Sequence, residues 1–173
     1  MIKMFTTQLN GLFNRISSKE EFALEDGARL LAQGAIGEGK IYVKAFAELE
    51  AVTLEATKGA EPLTGAFPVK DLHEITSADR VLLFSRLSTD KEAVEFAKKL
   101  NEKNIEFVAV SGVVDSEESL QDLATIYIDT KLTKGMLPDE NGNRVVFPGS
   151  MAGLFVYFAI KMALDEMLQE YQD

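Results

Sequence analysis

The stretch DRVLLFSRLSTDKEAVEFAKKL, Asp79 to Leu100, decides how the chain is read. RVLLFS is a continuous apolar run, the pattern of a strand covered on both faces. The following TDKEAVEFAKKLNEKN sets Val94, Ala97 and Leu100 on one side of a helix. The hydroxyl-rich turn between them admits two readings. Thr89 and Glu92 have capping-box spacing, in which a hydroxyl takes an unpaired N–H of the first turn and a carboxylate reaches back. The same unpaired donors, helped by the helix dipole, favour a bound anion.

Downstream, IEFVAVSG reads as a second buried strand. DSEESLQDLA reads as a short helix with Asp115 and Glu118 at capping-box spacing, and TIYIDT as a last strand. A loop from about Lys131 to Pro148 carries the turn signal DENGN, and one long helix runs from about Ser150 to Tyr171. Upstream, Ile2, Phe5, Leu9, Leu12, Phe13 and Ile16 recur at helical spacing. Ser18 and Glu21 fit the capping box of a second helix, ended by the glycines around Glu38. KIYVKAF, Lys40 to Phe46, is a strand, and AELEAVTLEATKG a helix. Ala60 to Asp79, with Pro62, Gly65 and Pro68, reads as loop with a short edge strand near Leu63 to Phe67. Strands alternating with helices predict an α/β fold: a three-layer α/β/α sandwich with a mostly parallel sheet and an N-terminal helical pair. No linker interrupts residues 1–173, so one domain is expected.

Composition narrows the chemistry. The chain has 173 residues, 46% apolar and 27% charged, with a formal net charge of -10. A nucleic-acid backbone would be repelled by that field, and Lys98–Lys99 is the only adjacent basic pair. With no cysteine and one histidine, His73, neither a thiolate nucleophile nor a Cys- or multi-His metal site is available. The apolar run MAGLFVYFAI is closed by Lys161, well short of the roughly 20 residues a span requires. MIKMFTTQLNGLFNRI lacks the features of a signal peptide. A soluble, cytoplasmic protein with no membrane partner and no nucleic-acid partner is expected.

In an open parallel sheet, ligands sit beyond the carboxyl ends of the strands, where strand order reverses. The residues placed there are KAFAELE, SRLSTD, SGVVDS and, at the start of the last helix, PGSMAG. Ser85, Arg86, Ser88, Thr89, Ser111 and Ser150 are thus the candidate ligand-binding residues. Hydroxyls and helix N-termini suit a phosphate, and Arg86 adds a bidentate cation. Each hydroxyl also has a structural reading, as cap or turn residue.

ADRVLLFSRLSTDKEAVEFAKKLNEKNIEFVAVSG, the N-terminal helical pair and the closing helix after PGS together resemble the SIS (sugar isomerase) domain, over nearly the whole chain. The size and layout are similar to the phosphoheptose isomerases among its single-domain members. The resemblance implies a flavodoxin-like five-stranded sheet, a small phosphorylated sugar as ligand, and no cofactor. It also implies a homodimer or higher homo-oligomer, with residues 1–36 at the subunit interface. The family's turn usually reads Ser-x-Ser-Gly-x-Thr-x-Glu. Ser85 and Glu92 match it, while Leu87, Ser88 and Asp90 stand where the second serine, the glycine and the threonine would be. KAFAELE has neither glycine nor serine where the family carries a Gly-rich, phosphate-contacting segment, and no histidine follows His73.

Isomerisation needs a base and an acid. Glu48 and His73 are the candidates, each with a structural alternative: a first-turn helix carboxylate and a loop imidazole. The expected function is phosphosugar binding, with either isomerase activity or a non-catalytic sensor or scaffold role. An FMN loop and a dinucleotide fingerprint are absent, and Lys44 stands where a receiver domain would carry an acid.

Overall fold

A computed structural model describes residues 1–172. Helices α1 (Ile2–Lys19) and α2 (Glu21–Ile36) precede β1 (Ile41–Ala45). A 3-10 turn, Ala47–Leu49, leads into α3 (Glu50–Lys58), followed by β2 (Ala66–Pro68) and a second 3-10 turn, Leu72–Glu74. Then come β3 (Arg80–Leu87), α4 (Lys91–Glu102), β4 (Phe107–Gly112), α5 (Leu120–Leu123) and β5 (Ile126–Asp129). A two-stranded antiparallel hairpin, β6 (Leu137–Pro138) with β7 (Arg144–Val145), precedes α6 (Gly149–Gln172).

The described residues build a five-stranded sheet in the order β2-β1-β3-β4-β5, every pair parallel. Beyond β1 the chain steps outward to β2 and then crosses back to β3. The order therefore reverses between β1 and β3, which is the switch point of this topology. Side chains alternate across the strands. On β3, Leu82 and Phe84 join one apolar cluster, fed by α1, α2, α3 and α6, while Val81 and Leu83 join the other, under α4 and α5. All four are fully buried, as the unbroken run in RVLLFS predicts.

Buried Asp79 sets the entry to β3. One carboxylate oxygen accepts the Lys40 N–H at 2.7 Å, and the other accepts the N–H and hydroxyl of Thr76 at 2.7 and 3.0 Å. The crossing there is too close for a side chain, since a methyl on Gly39 would lie 1.9 Å from the Ala78 carbonyl oxygen.

Three expected helix caps do not form. α1 runs through Ser18, whose hydroxyl donates to the Arg15 carbonyl inside the helix, so α2 starts after Glu20 without that box. The short helix α5 starts at Leu120 with Ser119 as its N-cap, and Ser119 donates to Asp122 at 3.0 Å, so the pair is displaced from Asp115 and Glu118. The third is at Thr89 (below). In each case the helix starts away from the pair that fits the capping pattern, at N-caps Glu20, Asp90 and Ser119. The loop expected after β5 contains the β6–β7 hairpin, and Asp139 organises its turn by accepting the N–H groups of Asn141 and Asn143 at 2.9 and 2.7 Å. No helix among the described residues is long and apolar enough to cross a membrane.

Candidate functional site

A backbone irregularity shapes the switch point. β3 pairs with β4 at Phe84↔Val110 and again at Leu87↔Gly112, so three steps on one strand meet two on the other. The resulting bulge lies at Ser85 and Arg86, and bulges re-aim side chains at strand ends. Here Ser85 is buried and Arg86 points to solvent.

Ser85 donates its hydroxyl to Asp90 Oδ2 at 2.6 Å, and the Leu87 N–H donates to the same oxygen at 3.0 Å. Arg86 donates through Nε and Nη2 to the two oxygens of Glu48, at 2.8 and 2.6 Å. Glu48 is brought there by Ala47, a non-glycine residue with φ 52°. That left-handed conformation costs about 1–3 kcal/mol, and such strain clusters at functional sites. The start of α6 closes the far side, since a methyl on Gly149 would lie 2.6 Å from Glu48 Oε1. Each of these donors faces a carboxylate of the chain itself.

The electrostatics follow from that pairing. The Arg86 hydrogen bond holds Glu48 below the usual glutamate range although partial burial works the other way, and the same bond raises Arg86. A carboxylate with lowered proton affinity, committed at both oxygens, is a poor general base.

α4 begins after Asp90, not after Thr89, and the Thr89–Glu92 box does not form. The Asp90 carboxylate turns back to Ser85 and Leu87, so no side chain caps the first turn. The first-turn N–H groups have no helical partner. They flank a cleft of about 230 Å3 lined by Phe46, Ala47, Arg86, Asp90 and Lys91–Ala93. A second cleft of about 340 Å3 shares Phe46 and Glu92 with it and adds Lys44, Lys70, Phe96 and Lys99. Phe46 and Phe96 meet edge-on at 6.2 Å, and the Lys44 ammonium lies 4.9 Å from the Phe46 ring centre.

The remaining sequence candidates divide. Ser88 is fully buried; its Oγ accepts the Val114 N–H at 2.9 Å and donates to the Val114 carbonyl at 3.2 Å. It ties the β3–α4 turn to the loop after β4. Ser111 is fully buried and hydrogen-bonded to Tyr127 at 2.8 Å, while Tyr127 donates to the Ser111 carbonyl at 3.0 Å. Both hydroxyls are committed to structure. Ser150 follows Gly149 in the first turn of α6, beside Glu48. Thr89 is half-buried in the turn. His73 is exposed in the 3-10 turn after β2, its backbone N–H bonded to Asp71, and it lines neither cleft. Asp90 was visible in the sequence only as a replacement for the family's threonine, and its role in filling the loop emerges from the fold.

Ser88→Ala should cost about 1–3 kcal/mol, because it leaves the Val114 N–H without its partner. Urea unfolding measures that loss. Affinity for a sugar phosphate should stay within about twofold; a larger drop would place Ser88 at the ligand after all.

The parallel sheet and the N-terminal helical pair give this chain a fold it shares with solved structures of sugar-phosphate isomerase type. It superposes on a putative sugar-phosphate isomerase from Listeria monocytogenes with a TM-score of 0.70 at 16% identity, covering 97% of this chain and 88% of that one. Phosphoheptose isomerase GmhA from Neisseria gonorrhoeae gives 0.69 at 9% identity, over 95% and 97%. A putative phosphosugar isomerase involved in capsule formation from Bacteroides fragilis gives 0.68 at 14%, over 98% and 90%. A family model described as "Domain of unknown function (DUF2529)" matches residues 1–168, and the chain belongs to that family. The Bacillus subtilis (strain 168) protein described as "Uncharacterized protein YwjG" is 44% identical over 173 residues, 99% of each chain.

Proposed function

We propose that this protein binds a phosphorylated sugar at the β1/β3 switch point without isomerising it. The observation that carries the reading is a set of neighbouring donors, with Ser85 and the Leu87 N–H bonded to Asp90 and Arg86 bonded to Glu48, each holding the kind of oxygen a phosphate would present. The phosphate would displace Asp90 from Ser85 and Leu87, take up Arg86, and face the uncapped first turn of α4. The neighbouring cleft offers Lys44, Lys70, Lys99 and Glu92 as partners for sugar hydroxyls, and its volume of about 340 Å3 suits a small ligand.

Binding without turnover follows from the chemistry available. Proton transfer between adjacent carbons requires a base within hydrogen-bond reach. Glu48 is paired with Arg86 in the free protein and lines neither cleft, and His73 lies outside both. Thermal unfolding with a panel of sugar phosphates tests the reading, because a ligand that binds only the native state raises Tm. A rise in Tm is expected for at least one member, with no conversion of sedoheptulose 7-phosphate or fructose 6-phosphate. Absence of any shift at millimolar ligand would leave a scaffold without a ligand; measurable turnover would restore the isomerase reading.

A further inference from the structure

A third cleft lies where α1, the loop after β5 and the β6–β7 hairpin meet. Its volume is about 120 Å3, and four cations line it: Arg15 from α1, Lys131 and Lys134 from the loop, and Arg144 from β7. None of its lining residues is a carboxylate, and none is shared with the switch-point clefts. The chain has 28 acidic and 18 basic residues, so four cations lining one cleft run against its composition.

Two of these cations are held in place. Lys131 Nζ lies 2.6 Å from Glu20 and 3.0 Å from Asp129. Burial works against its charge, but those two ion pairs prevail and raise it above the ordinary lysine range. Arg144 donates through Nε to the Gly135 carbonyl at 2.9 Å and through Nη2 to the Met136 carbonyl at 2.6 Å, which fixes its guanidinium plane. Among the described residues, no carboxylate lies within 4.0 Å of the charged nitrogens of Arg15, Lys134 or Arg144. Bringing like charges together is unfavourable unless an anion joins them.

The backbone supplies a separate observation. Lys131 has φ 58° and Val146 φ 61°, two non-glycine residues in the left-handed region, one at each end of the segment that walls the cleft. Each costs about 1–3 kcal/mol, and strain of this kind collects at binding sites. Lys131 is itself one of the lining cations.

We propose that this cleft seats one phosphate group, held by Arg15, Lys134 and Arg144, with Lys131 as a fixed positive neighbour. Three unpaired cations suit a dianion better than a carboxylate. Whole small-molecule sites occupy about 300–1,000 Å3, so a cleft of about 120 Å3 takes the phosphate and leaves any attached group outside. The site does not depend on the sugar-phosphate reading of the switch point.

Nitrogen-15 NMR with inorganic phosphate and, in a second arm, fructose 6-phosphate tests the site on the full chain. The Thr133 and Gly135 amides should shift saturably at millimolar phosphate. Arg15→Gln together with Lys134→Gln should weaken that response by about tenfold or more. Both substitutions are at exposed positions, and an unaltered remainder of the spectrum reports an intact fold. If only inorganic phosphate shifts these amides, the seat takes the free ion; if both ligands do, it accepts phosphate monoesters. Equal shifts with chloride at matched ionic strength, or an unchanged response in the double variant, would overturn the proposal.

Discussion

Ser85→Ala combined with Arg86→Ala is expected to abolish sugar-phosphate binding, and Asp90→Ser to strengthen it by roughly tenfold or more. The first half follows from counting donors. Without Ser85 Oγ and the Arg86 fork the proposed site keeps only backbone N–H groups, and charge-assisted contacts are the strong ones in such a site. The second half follows from competition. Asp90 accepts from Ser85 and Leu87 in the free protein, and an arriving phosphate must both displace it and tolerate its charge. Two unit charges about 4 Å apart repel by about 1 kcal/mol in water and about 4 kcal/mol at an effective dielectric of 20. A tenfold gain is about 1.4 kcal/mol, near the low end of that range. Serine remains a good N-cap for α4, so the helix should keep its start. Isothermal titration of the wild type and both variants decides the matter. If Asp90→Ser binds no more tightly than the wild type, the carboxylate is not a competitor. If the double variant binds unchanged, the site is elsewhere.

Phe84→Ala is expected to lower stability by about 3–5 kcal/mol, the usual range for emptying a buried phenylalanine site. Phe84 is fully buried at the centre of β3, pairing with Ala45 on one side and Val110 on the other. α6 comes close over it: a methyl on Gly153 would lie 3.7 Å from Phe84 Cδ1. With total stabilities of about 5–15 kcal/mol, that loss is a large fraction of the whole. Phe84 directly precedes the bulge that sets Ser85 and Arg86, so ligand binding should fall with it. Urea unfolding gives the number, and a loss below about 1.5 kcal/mol would mean that the ring is not packed between sheet and α6.

Ser85 and Leu87 donate to Asp90, and Arg86 donates to Glu48, so carboxylates of the chain itself occupy these donors. Without ligand, Ser85, the Leu87 N–H and Arg86 are satisfied, while the first turn of α4 has no side-chain cap. On the proposed binding mode, a phosphate would have to displace Asp90 and open the Arg86–Glu48 pair, which would weaken affinity. The latter is half-exposed on the arginine side, so its own strength is modest.

The sequence alone determined the element order, the two-face burial of β3 and the parallel α/β class, because these depend on local periodicity and chain alternation. It also placed Ser85 and Arg86 at a strand end, and marked KAFAELE as the segment unsuited to a conventional phosphate site. It could not place helix starts, since the pairs at Ser18, Thr89 and Asp115 satisfy the capping pattern whether or not packing uses them. Nor could it separate Ser88 and Ser111, buried against Val114 and Tyr127, from Ser85, which faces Asp90. Only the tertiary structure decided those, because the partners of Ser88 and Ser111 come from segments 26 and 16 positions away. The bulge at Ser85–Arg86, the Glu48–Arg86 pair across 38 positions and the convergence of Arg15, Lys134 and Arg144 belong to the same class. Each arises where separate elements are brought together by the sheet, and no local pattern encodes that meeting.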